Sequence, residues 1–225
     1  MKKFLAIITL LIGGIALLGG CTANNEDFTP QSYSIEATEI VELQIEVQNR
    51  KIEILPATDN KIHLDYAQSS KEFYDITLTD GVLLMTAQDA KEWTDFIGTS
   101  PDLANRTIRV QIPDGVLASL TISTTNEDVS LSALSFAQGV SVDVNNGNIT
   151  FEQLAVGQTI ELASKNGNIS GVISGGYDDF AITTTIKKGD SNLPAQKDGG
   201  EKTLNVTANN GDINIEFIPT AANSN

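Results

Sequence analysis

The chain has 225 residues, enough for one folded domain and a leader. Hydrophobic residues make up 40% but aromatics only 6%, so a core must be built chiefly from Ile, Val and Leu. A formal net charge of −15 repels nucleic acid and anionic headgroups, and a lone histidine, His63, with a lone cysteine, Cys21, is read as excluding multi-histidine metal sites, histidine-based triads and intrachain disulfides.

Residues 1–20 stand apart. Lys2 and Lys3 make a short basic segment, Phe4 to Leu18 is almost purely apolar, and Gly19-Gly20 places small residues before Cys21, the pattern of a signal peptide. Leu18-Gly19-Gly20-Cys21 resembles a bacterial lipobox, in which a dedicated peptidase cuts before the cysteine; Ala or Ser is commoner than Gly at the second position. A membrane-spanning helix is the alternative, since the run approaches the ~20 residues that cross a bilayer. The paired glycines, the missing charged flank and the end of the run at the only cysteine favour a lipoprotein. The expectation is lipid attachment at Cys21 and an extracytoplasmic address on the bacterial membrane, held by a diacylglyceryl group whose two chains suffice where one is marginal. Residues 21–32, polar and with a proline, read as a flexible tether.

From Tyr33 the chain becomes a succession of short alternating segments. Ile40 to Val47 leads through Asn49-Arg50-Lys51 to Ile52 and Ile54; Ile62, Leu64 and Tyr66 follow; Ile76 and Leu78 lead to Asp80-Gly81 and then Val82 to Met85. Period-2 alternation broken by Asn, Asp and Gly is the signature of strands, and no amphipathic helix interrupts it. Residues 88–106 break the pattern and contain Trp93, Phe96 and Ile97. An aromatic on a long loop marks either a contact site or a flap over an exposed edge of the fold; the second is favoured. Ile108, Val110 and Ile112 resume the strands, stopped by Pro113-Asp114-Gly115.

A repeat is clearest beyond that point. Glu127, Gly147, Gly167, Gly189 and Gly211 lie 20 or 22 residues apart and serve as equivalent turn positions. Around each, apolar residues recur in phase: Leu120, Val140, Ile160, Ile182 and Leu204 before the turn, and Val129, Ile149, Ile169 and Ile213 after it, with Ser191 the exception. Arg50 fits the same frame. A fixed period of this length with strand content predicts an all-β, single-domain β-solenoid of stacked ~20–22-residue rungs over 33–218, with irregular N-terminal rungs and a disordered tail at 219–225. Glycine at the turn is expected to supply positive φ, and Asn126, Asn146, Asn166 and Asn210 to stack as an amide ladder. Asn-Gly is also the strongest two-residue hairpin signal. The shared phase on both sides of the turn favours rung-on-rung stacking, and the rung around Gly189 is the weakest.

The strand ending in Ile112-Pro113, the Leu120-to-Ile122 strand and the recurring Asn-Gly-Asn/Asp-Ile turns make residues 33–218 resemble a bacterial domain-of-unknown-function family, the putative adhesins. That resemblance implies a stacked β-solenoid and transfers no catalytic residues. Asn126-Glu127-Asp128 departs from the pattern by lacking glycine.

The residues themselves spell out no reaction. His63 sits in an alternating segment as a strand-surface residue, and no Gly-x-Ser-x-Gly elbow is present. Asp128, Asn148, Asn168, Asp190 and Asp212 form a column that reads either as a calcium-binding edge or, preferably, as solvated turns. The expected role is non-enzymatic and without cofactor or metal: an adhesin or envelope scaffold contacting a cell-surface glycan or protein. Alternatives are a regulatory module bound to a membrane protein and, less favoured, a polysaccharide-active enzyme with paired carboxylates in a groove.

Overall fold

The computed structural model describes residues 27–89 and 101–219. In chain order the strands are β1 (Thr29–Glu36), β2 (Glu42–Glu46), β3 (Lys51–Pro56), β4 (Lys61–Gln68), β5 (Glu72–Thr79), β6 (Val82–Asp89), β7 (Thr107–Ile112), β8 (Ser119–Asn126) and β9 (Val129–Leu131). They continue as β10 (Leu134–Phe136), β11 (Gly139–Asn146), β12 (Ile149–Val156), β13 (Thr159–Asn166), β14 (Ile169–Ser174), β15 (Phe180–Lys188), β16 (Gln196–Lys197), β17 (Lys202–Asn210) and β18 (Ile213–Ile218). Alternation dictates them: in β11, Val140, Val142 and Val144 are buried while Ser141 and Asp143 face out. Strand β1 takes in Thr29 to Ser32, so the last four residues of the predicted tether are paired with β4.

The strands form two sheets that face each other across one core. One runs β1-β4-β7-β3-β9-β12-β14-β18, with β10 beside β12; the other runs β16-β15-β17-β13-β11-β8-β2-β6-β5. The two halves of each repeat therefore lie in different sheets. β11 pairs with β8 and β13, and β12 with β9 and β14, all parallel and in register up to a shift after Phe151 in the β12–β14 pair, so the Asn-Gly turns do not close hairpins. Strands pair antiparallel only towards the two ends, at β1–β4, β4–β7, β5–β6 and β15–β16.

Rungs do not follow chain order. β17 and β18 stack directly on β13 and β14, while β15 lies outside β17 as the terminal rung. At the other end β2 and β3 sit in mid-stack, against β8 and β9 on one side and β6 and β7 on the other. Like residues still meet: Leu83, Leu43, Leu120, Val140, Ile160, Leu204 and Ile182 form one buried column, and Met85, Ile45, Ile122, Val142, Leu162 and Val206 the next. Each such buried aliphatic side chain stabilises the stack by ~1.5–3 kcal/mol.

The weakest rung is the cap, because a terminal rung has only one neighbour against which to bury apolar surface. Ser191 makes an isolated bridge to Ile213 in place of a strand. Asn192 then closes part of the β18 edge: its Nδ2 donates to the Ile215 carbonyl at 2.8 Å, and its Oδ1 accepts the Ile215 N–H at 3.0 Å.

Candidate functional site

Three features of the described surface bear on function: the turn column, two polar clusters near the antiparallel end, and the lateral faces. In the turn column, Asn146 Nδ2 donates to Asn126 Oδ1 at 2.7 Å, Asn166 to Asn146 at 2.7 Å and Asn210 to Asn166 at 2.6 Å. Asn126 in turn donates to Asn49, which extends the ladder into the rung that carries Arg50. The neighbouring oxygens are engaged as well. Asp128 Oδ1 accepts the Asn148 N–H at 2.7 Å, Asn148 the Asn168 N–H at 2.9 Å, Asn168 the Asp212 N–H at 2.8 Å, and Asp212 the Asp190 N–H at 2.9 Å. Each column joins rung to rung, which makes it structural. Among the described residues no three His, Cys, Asp or Glu side chains are grouped to hold a metal ion.

The turn glycines all answer to space, and Gly167, Gly189 and Gly211 also take the positive φ expected from the sequence. A Cβ on Gly147 would stand 2.2 Å from the Glu127 carbonyl oxygen, and one on Gly167 1.9 Å from that of Gly147. The same holds for Gly211 against Gly167 at 2.1 Å and Gly189 against Gly211 at 2.2 Å. Gly147 has no positive φ, so the conformational reason expected from the sequence does not apply there. Close approach of stacked backbones does. Gly157, on the opposite corner, is held by the same constraint, 2.0 Å from the Ala137 oxygen, and has no Asn-Gly signature to announce it.

Arg50, in the turn frame, is only 5% exposed. Its guanidinium donates to Tyr74 Oη and to Glu72 Oε2, and to the carbonyls of Asn49 at 3.1 Å and Gln48 at 3.3 Å. Burial pushes the Tyr74 phenol up, keeping it neutral. Both partners lie on β5, whose distance in sequence hid the cluster.

His63 lies on the surface of β4 as expected, but a lone histidine does not exclude a triad-like arrangement. Its Nδ1 meets Ser34 Oγ at 2.8 Å and its Nε2 meets Asp59 Oδ1 at 2.8 Å, so one histidine does assemble a Ser–His–Asp chain. Ser34 and His63 are direct cross-strand partners on β1 and β4, a pairing that no sequence spacing reveals. Asp59, held below its ordinary pKa first by the His63 hydrogen bond, also accepts the Lys61 N–H at 3.1 Å and so ties down the turn into β4. A nucleophilic serine works in a water-excluding pocket with aimed oxyanion donors. Asp59 has a side chain 49% exposed, and the three residues line neither groove described below.

Among the described residues, two grooves cross the lateral faces. One, of about 260 Å³, crosses the sheet of β2, β8, β11 and β13 and is lined by Glu42, Thr121, Gln138, Thr159 and Glu161 among others. The other, of about 480 Å³, crosses β3, β9, β12 and β14 at a register shift between Phe151 and Leu154. Glu53 and Glu152 both line it, so a groove with two carboxylates does exist. They stand on β3 and β12, two rungs or ~10 Å apart at the backbone. Glu53 is also engaged: Lys51, at 2.7 Å, and Arg109, at 2.7 Å, hold its carboxyl below the usual range. Cys21 and the Trp93, Phe96 and Ile97 group lie outside the described residues.

In-register parallel rungs closing two facing sheets around a single core define a β-solenoid of the stacked-rung type. The chain belongs to the Toastrack DUF4097 family, whose model matches residues 40–224. The family expected from the Ile-Pro strand and the Asn-Gly turns is thus the one found. Among solved structures, a putative cell adhesion protein from Clostridium sporogenes is similar at 10% identity, over 85% of this chain and 100% of that one, with a TM-score of 0.57. A putative adhesin from Bacteroides fragilis is similar at 14% identity, over 84% of this chain and 97% of that one, with a TM-score of 0.39. The search of curated proteins gives no match.

Proposed function

We propose that this protein is a lipid-anchored, non-enzymatic adhesive module of the bacterial cell envelope, tethered through Cys21 and contacting its target through a lateral face. The observation that carries the reading is rigidity. Backbone ladders, the asparagine ladder from Asn49 to Asn210 and the Asp/Asn column clamp successive rungs, so the outward side chains are held in fixed rows. A preorganised face loses little freedom when it binds. The Clostridium sporogenes protein of the same fold bears the name putative cell adhesion protein, which points the same way. The negative charge of the chain keeps such a domain soluble and clear of anionic headgroups.

Two measurements test the reading. Metabolic labelling with a tagged fatty acid is expected to mark the wild-type chain and not Cys21→Ser; equal labelling removes the anchor. Cells bearing the chain are expected to adhere to host cells, matrix or glycans more than cells lacking it. Equal adhesion, with cross-linking that repeatedly captures one membrane protein, would replace adhesion by a regulatory role.

A further inference from the structure

We propose that the groove across β3, β9, β12 and β14 is a binding site for a neutral, unbranched oligosaccharide lying along the stacking axis. This rests on the adhesive reading and names its ligand class. The groove's volume of about 480 Å³ falls within the range of small-molecule sites. It spans three rung steps, ~14 Å at the interstrand spacing, so an extended chain fits it better than a compact ligand.

Apart from Glu53, its polar groups are unengaged. The hydroxyls of Ser130, Ser132, Thr150 and Ser170 and the carboxylate of Glu152 have no side-chain hydrogen bond to any described residue. The other groove differs. There Thr121 Oγ1 donates to Glu42 at 3.2 Å, Gln44 Nε2 to Glu42 at 2.8 Å, and Thr203 Oγ1 to Thr159 at 3.0 Å. That face satisfies part of its own polar lining, while this one offers its hydroxyls to solvent, where a ligand's hydroxyls can replace water.

Chemistry narrows the class. Ser and Thr hydroxyls both donate and accept, as sugar hydroxyls do, and Glu152 accepts from a pair of them. Leu55 is half-buried on the outward face of β3 and gives the groove an apolar patch for the C–H side of a sugar ring. Lys51 and Arg109, both paired with Glu53, balance the two carboxylates of Glu53 and Glu152, which leaves the groove without net charge and suits a neutral polymer. Within the groove Gly171 stands in the Phe151 column, and the Phe151 ring lies 2.3 Å from where a Gly171 Cβ would be.

The test titrates the purified full-length chain with cellohexaose, chitohexaose, a hyaluronan hexasaccharide and hexalysine. At least one neutral hexasaccharide is expected to bind, and the Thr150→Val and Ser170→Ala double variant to weaken it at least tenfold with its circular dichroism and melting unchanged. Affinity unmoved by the double variant, or tighter binding of hexalysine or hyaluronan, overturns the site. Should cells bearing the double variant adhere as wild type does, the groove is wrong and adhesion stands. No adhesion by wild-type cells sinks the adhesive reading itself.

Discussion

Asn210 donates its side-chain amide to Asn166 across 2.6 Å of space and 44 residues of chain. The rung between them in sequence, around Gly189, has left the stack to become its cap, and the ladder closes over the gap. Asn166 cannot tell whether its partner is the next repeat or the one after. It needs only an amide one rung away.

The ladder predicts a gradient of cost. Asn146 bonds to two neighbours and Asn210 donates to one. Asn146→Ala is expected to destabilise by about 1–2 kcal/mol and Asn210→Ala by about half as much. Urea unfolding of both variants decides it, and equal losses would mean that the amides contribute little beyond their exposure.

Close approach predicts strict intolerance at the turn. With a Cβ 2.2 Å from the Glu127 oxygen, Gly147→Val forces the rungs apart, at a cost of roughly 1–3 kcal/mol. Ser141→Val, on an outward strand position, is expected to stay within about 0.5 kcal/mol of wild type. Thermal melts that place the two together would refute the constraint.

Thr184 offers a gain. It occupies the column of Val206 and Leu162 but is buried, and its hydroxyl has no partner among the described residues. Thr184→Val removes an unsatisfied group without changing shape, for an expected gain of about 1 kcal/mol and a rise in Tm of ~2–4 °C. A lowered Tm would show that the hydroxyl is satisfied after all.

Glu53 predicts a pH dependence. Its pKa is depressed foremost by the Lys51 hydrogen bond, which burial opposes, and further by Arg109. A carboxylate with a lowered folded pKa stabilises the fold above its unfolded value, ~4.3, and that contribution is lost as pH falls through the folded value. Glu53→Gln is therefore expected to be less stable than wild type at pH 7, by about 1 kcal/mol or less, with the difference shrinking below pH ~4. A gap independent of pH would assign the loss to packing.

One turn signal meant different things in two places. Asp80 and Gly81 both take positive φ and close the β5–β6 hairpin, as a two-residue hairpin turn requires. Asn146-Gly147 reads like a hairpin too, yet neither residue has positive φ, and the chain crosses from one sheet to the other. The local dipeptide is the same kind of signal. The phase of Val140 and Ile149 with their neighbours is what separates the outcomes.

The amino-acid sequence by itself determined the strands, their inward faces and the rung as a unit, because period-2 burial and a recurring apolar column are local properties that survive any arrangement of the rungs. It also marked the Gly189 rung as poor in apolar residues. Only the tertiary structure decided where each rung goes. A parallel rung presents the same kind of backbone edge above and below, so matching columns cannot say which repeat lies next to which. Burial decides it: the apolar-rich rung of Leu204 and Ile213 fills the interior slot, and the rung with Ser191 takes the end. Long-range pairing likewise created what spacing could not show, the Ser34–His63–Asp59 chain, the buried Arg50 cluster and a groove whose hydroxyls come from rungs brought together by stacking.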